Sequence, residues 1–123
     1  MQMQMQIQMQ MDVEIKINEK DYTAKELYLI EMNLTNLPND IHRYTNLKKL
    51  DCDRNELTNL DNLHSDLEIL HCRYNKLTSL DNLPPKLIEL YCRYNEITHL
   101  DNLPLNLEIL YVCYLLIYII FLN

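Results

Sequence analysis

The sequence predicts a repeat solenoid, with short parallel β-strands on a concave face and extended or 3₁₀ turns on the convex face. Three observations predict it. Residues 47–106 are one twenty-residue unit written three times without insertion: LKKLDCDRNELTNLDNLHSD, LEILHCRYNKLTSLDNLPPK and LIELYCRYNEITHLDNLPLN. Leucine or isoleucine recurs in five columns, which begin at Leu47, Leu50, Leu57, Leu60 and Leu63. Cysteine recurs at Cys52, Cys72 and Cys92, and asparagine at Asn55, Asn75 and Asn95. Self-similarity at a fixed period of this size marks repeats that stack only on their neighbours.

The pattern L-x-x-L-x-C-x-x-N-x-L-x-x-L resembles the leucine-rich repeat family, with cysteine where leucine or valine is more usual. The twenty-residue period, with Leu-Pro ahead of the strand, is similar to the short repeats of bacterial secreted effectors and of repeat proteins from giant amoebal viruses. The resemblance spans roughly residues 24–111 and implies a β-rich, α/β-type right-handed arc. It also implies a microbial or viral protein whose partner is a host protein. The codon bias suits that source: Gly and Trp are absent, while Asn, Ile, Lys and Tyr are frequent, as A+T pressure would produce.

Taken in order, residues 1–11 are a low-complexity Met/Gln tail, MQMQMQIQMQM, expected to be frayed, with no basic segment ahead of an apolar run and so no secretory signal. Residues 12–23 alternate Val13, Ile15 and Ile17 and read as a strand capping the open end of the stack. Residues 24–46 form a degenerate first repeat. Leu27 and Leu29 match Leu50 and Cys52, Leu34 and Leu37 match Leu57 and Leu60, and Met32 falls where asparagine belongs. Regular repeats follow at 47–66, 67–86 and 87–106, then a partial one at 107–111. Residues 112–123 close the chain as a hydrophobic tail. The uncharged run from Ile109 to Leu122 is shorter than the roughly 20 residues a membrane helix needs, and reads as an aggregation-prone strand. Truncation by a frameshift is the favoured origin, ahead of a hydrophobic cap or dimer edge and of a membrane-dipping tail.

Side-chain alternation divides each strand. Leu50 and Cys52 should point inward, and Lys49, Asp51 and Asp53 outward. The cysteines then serve as small core hydrophobes, which suits a reducing cytoplasm, that of a host cell included. The asparagines are expected to satisfy backbone groups where the chain leaves the strand. Asp61-Asn62, Asp81-Asn82 and Asp101-Asn102 read as Asx turns rather than cation ligands, so no metal and no cofactor is expected.

Four outward columns form on the concave side: Lys49, Ile69, Glu89, Ile109; then Asp51, His71, Tyr91, Tyr111; then Asp53, Arg73, Arg93; then Arg54, Tyr74, Tyr94, Tyr114. Tyr and Arg are enriched at interface hot spots. His71, Arg73, Tyr74, Tyr91, Arg93, Tyr94 and Tyr111 are therefore the expected protein-binding residues, with tyrosine stacking between strands as the alternative role.

A net charge of −7 carries no basic stripe for nucleic acid. Two serines, Ser65 and Ser79, lie on the repeat exterior, and His71 has only Arg73 as an evident neighbour, so no catalytic set is expected. The expected function is non-catalytic protein–protein interaction. The alternative is a remnant of a longer leucine-rich repeat protein, such as the recognition part of an effector ubiquitin ligase.

Overall fold

The computed structural model describes residues 2–5 and 22–112. Five strands, β1 (Glu26–Tyr28), β2 (Lys49–Asp51), β3 (Ile69–His71), β4 (Glu89–Tyr91) and β5 (Ile109–Tyr111), form one parallel sheet in chain order. The register follows the repeat. Leu27 pairs with Leu50, Leu50 with Leu70, Leu70 with Leu90 and Leu90 with Leu110. Each return to the sheet is therefore one solenoid turn, and the expected fold class is the one observed.

The strands hold only three residues each, but their ladder runs further. The Cys52 N–H donates to His71 O at 2.8 Å, and Cys72 and Cys92 donate likewise to Tyr91 O and Tyr111 O. Beyond the asparagine column the chains meet again, with Glu56 N–H on Leu34 O, Lys76 N–H on Leu57 O and Glu96 N–H on Leu77 O. Two parallel ladders thus clamp each turn to the one before.

The inward columns build the core. Leu50, Leu70, Leu90, Leu57, Cys52 and Cys72 are fully buried, and Leu67 and Leu87 join them from the turn ahead of each strand. Removing such a side chain from water is worth roughly 1.5–3 kcal/mol each. The stack loosens toward its last described turn, where Leu107 and Leu110 are only partly buried and Leu105 is fully exposed.

The longer first repeat accommodates its extra residues as a 3₁₀ helix, Asn39–Arg43, after Pro38. Ile41 and Tyr44 anchor this turn in the core, and Tyr44 meets Tyr22 edge-on at 4.9 Å. The regular repeats need no helix. A tight turn precedes each strand instead, with N–H donation from Leu67 to His64 O, Leu87 to Pro84 O and Leu107 to Pro104 O. Asn62, Asn82 and Asn102 adopt φ of 60–68°, the left-handed region that Asn tolerates best among non-glycine residues.

Residues 2–5 are helical and exposed, in keeping with the good helix propensity of Met and Gln. The capping strand expected from Val13, Ile15 and Ile17 lies outside the described residues, as does the hydrophobic tail beyond Val112. Among the described residues no helix is long and apolar enough to cross a membrane.

Candidate functional site

The concave face owes its shape to what happens after each cysteine. Arg54, Tyr74 and Tyr94 take φ of 57–61°, so the chain leaves the strand through a left-handed residue. Such a conformation costs a non-glycine residue roughly 1–2 kcal/mol. The following asparagine offsets that cost by filling the turn with hydrogen bonds. Asn55 Oδ1 accepts the N–H of Met32 and of Leu34, both at 3.0 Å, while Nδ2 donates to Leu29 O at 2.7 Å and Cys52 O at 3.0 Å. Asn75 and Asn95 repeat the pattern, accepting from Leu57 and Leu77 and donating to the carbonyls of Cys52 and Cys72. Each amide thus bridges two turns. Met32 has no such amide to offer, and the first repeat, like the later ones, is served by the asparagine of the next, here Asn55.

The left-handed residue directs its own side chain outward, and this column forms an aromatic row. Tyr74 and Tyr94 stack at 4.3 Å with 10° between planes, and the Arg54 guanidinium caps Tyr74 at 4.4 Å. A second row runs through the strand column, with His71 against Tyr91 at 4.4 Å and Tyr91 stacked on Tyr111 at 5.1 Å. Arginines connect to this row. The Arg73 guanidinium lies 5.9 Å from the Tyr91 ring centre and that of Arg93 lies 5.3 Å from Tyr111. Of the seven residues expected on this face, His71, Arg73, Tyr91, Arg93 and Tyr111 are thus linked in one row and Tyr74 and Tyr94 in the other, and Tyr94, 62% exposed, is the most exposed of these tyrosines.

Two residues expected to point outward do not face water. Asp51 and Asp53 are buried, because the longer side chains of the next repeat close over them. Asp53 holds Arg73 through a fork, with Oδ2 accepting Nε–H at 2.9 Å and Nη2–H at 2.6 Å, while Oδ1 accepts the Arg73 backbone N–H at 2.7 Å. This bonding raises the Arg73 pKa. Asp51 Oδ1 accepts the Asp53 N–H, and its Oδ2 lies 3.6 Å from His71 Nδ1. The acidic neighbour of His71 is therefore Asp51, and Arg73 belongs to Asp53. Burial holds the His71 pKa below the ordinary histidine value, against the opposing pull of Asp51 and Asp53. Both pairings were available from the sequence as residues one period apart in the same column.

The thiols of Cys52, Cys72 and Cys92 lie beneath this face. Cys52 and Cys92 donate to the carbonyls of His71 and Tyr111 at 3.3 Å, and burial pushes all three thiols up in pKa, Cys92 to about 12. That is the opposite of an activated nucleophile. An open groove of about 610 Å³ runs elsewhere, past Glu68, Lys86, Ile88 and Leu105–Glu108, and brings no Ser, Cys or His into its lining.

Neither a comparison with protein-family models nor one with curated proteins finds a match to this chain.

Proposed function

We propose that this chain is a leucine-rich repeat protein that acts without catalysis, binding a protein partner through His71, Arg73, Tyr74, Tyr91, Arg93, Tyr94 and Tyr111. The observation that carries the reading is the pair of aromatic rows joined to arginines across neighbouring strands. Stacking fixes those side chains before a partner arrives, so association gives up little rotamer entropy. Tyr and Arg supply large contact area and directed hydrogen bonds, the qualities that concentrate binding energy in few residues. The repeat pattern and the host-cell setting of the proteins it resembles favour a host protein as the partner.

The test is a double change, Arg93→Glu with Tyr94→Ala, set beside Asp101→Lys on the convex side. At about 2 kcal/mol per hot spot the double change weakens a captured partner several-hundredfold, with no change in the circular dichroism spectrum. Asp101→Lys leaves capture intact. A partner retained by the double variant and lost from Asp101→Lys would move the binding surface to the convex side.

A further inference from the structure

We propose that Asp51, Asp53 and His71 form a binding site for a divalent cation of borderline softness, one that zinc would probe. The three residues each offer a ligand atom, and these atoms lie within 4.8 Å of one another. They converge because β2 and β3 pair in register, which sets Asp51 beside His71, with Asp53 two residues further along the same chain.

The second observation is His71 Nδ1 itself. The ring retains some exposure, but Nδ1 is sealed from solvent and makes no hydrogen bond. A buried polar atom without a partner is destabilising and calls for an explanation, of which an ion is one. The nearest candidate partner is Asp51 Oδ2 at 3.6 Å, beyond hydrogen-bond reach. Two ligands held at about 2.0–2.2 Å in a tetrahedral zinc site stand roughly 3.3–3.6 Å apart, so the separation suits a shared metal better than a shared proton. A tilted ring contact with Tyr91, 4.4 Å between centres, holds the ring in that position.

Asp53 supplies the third ligand without releasing Arg73. Its Oδ2 takes both guanidinium bonds, whereas Oδ1 takes only the Arg73 backbone N–H and keeps a lone pair. Two carboxylates against one guanidinium leave a net negative charge for the cation to neutralise. One imidazole with two carboxylates favours zinc over calcium or magnesium, which prefer all-oxygen shells. This differs from the sequence expectation of no metal, which considered only the cysteines and the Asp-Asn turns.

The experiment titrates zinc into the chelator-treated full chain by calorimetry, with thermal unfolding and the visible absorption of Co²⁺ as parallel readouts. The expected result is one equivalent bound, a rise in Tm, and a Co²⁺ spectrum of tetrahedral type. Asp51→Asn keeps an oxygen for the Asp53 N–H and is the deciding variant. It should weaken zinc at least about tenfold and lose the rise in Tm, as should His71→Phe. His99→Ala, which removes a surface histidine 3.9 Å from Asp81, should bind as the wild type does. Absence of zinc binding to the wild type overturns the proposal. So does equal binding by Asp51→Asn and His71→Phe, which would mark an adventitious ion only.

Discussion

The asparagine column predicts a graded loss of stability rather than a uniform one. In Asn75→Ala the Leu57 N–H loses its acceptor within the core. The three carbonyls that Asn75 serves each keep another donor. Cys52 O keeps Asn55 Nδ2, Cys72 O keeps Asn95 Nδ2 and Arg73 O keeps the Arg54 N–H. One orphaned donor at about 1–3 kcal/mol, with weakened bonds at the carbonyls, gives a loss of roughly 3 kcal/mol. Asn55→Ala removes the acceptor of both Met32 and Leu34 N–H groups and the side-chain donor to Leu29 O, for roughly 5 kcal/mol. Asn95, like Asn75, serves a single N–H, that of Leu77, but the site is only part-buried and water can reach the orphaned group, for roughly 1–2 kcal/mol. Urea unfolding followed by circular dichroism resolves these steps, since slopes near 1–3 kcal/mol per molar turn them into midpoint shifts of about a molar or more. Equal losses at the three positions, or a larger loss at Asn95 than at Asn55, would refute the account of the ladder.

The thiols should be inert in the fold and costly to it in alkali. With Cys92 pushed up to about 12, about one thiol in ten thousand is ionised there at pH 8, so alkylating reagents should modify the described cysteines only after unfolding. The same shift fixes the sign of the pH dependence. The folded thiols titrate above their unfolded value of 9.0, so their contribution is complete below that pH and is lost as pH rises toward the folded values. Stability should therefore fall as pH rises above 9.0, a dependence that changing Cys52, Cys72 and Cys92 to Val should remove. The buried Asp53 makes a separate prediction: Arg73→Met should cost about 2 kcal/mol in urea unfolding, and Asp53→Asn in the same chain should restore part of it. Simple addition of the two losses would mean the pair is not coupled.

The sheet order, its register and the core columns were legible because a fixed period makes every turn a copy. Leu50 needs the same surroundings as Leu70, and a sequence offset of twenty becomes one step across the sheet. The asparagine role was legible for the same reason, since a polar residue recurring among leucines must find partners inside. The site was only partly legible. Alternation along one strand assigned Asp51 and Asp53 to the solvent side, and they do lie on that side. Whether water reaches them depends on the repeat that follows, where His71 and Arg73 are long enough to cover them. The left-handed turn at Arg54, Tyr74 and Tyr94 carried no glycine to announce it. It is set instead by the asparagine that follows, a residue whose effect is felt through the neighbouring turn.

If each twenty-residue repeat is one turn, then excising residues 67–86 should leave a folded protein, because Asp66 then leads into Leu87 and Leu90 takes the place of Leu70 beside Leu50. Four strands would remain, enough for a stacked array. Excising residues 67–76 removes half a period and sets the convex leucines where a strand should begin. Urea unfolding of the two deletions side by side is the most direct test. The account predicts one cooperative transition with a reduced slope for the first and no transition for the second. Loss of folding in the first, or matching transitions in both, would contradict a solenoid built one repeat to the turn.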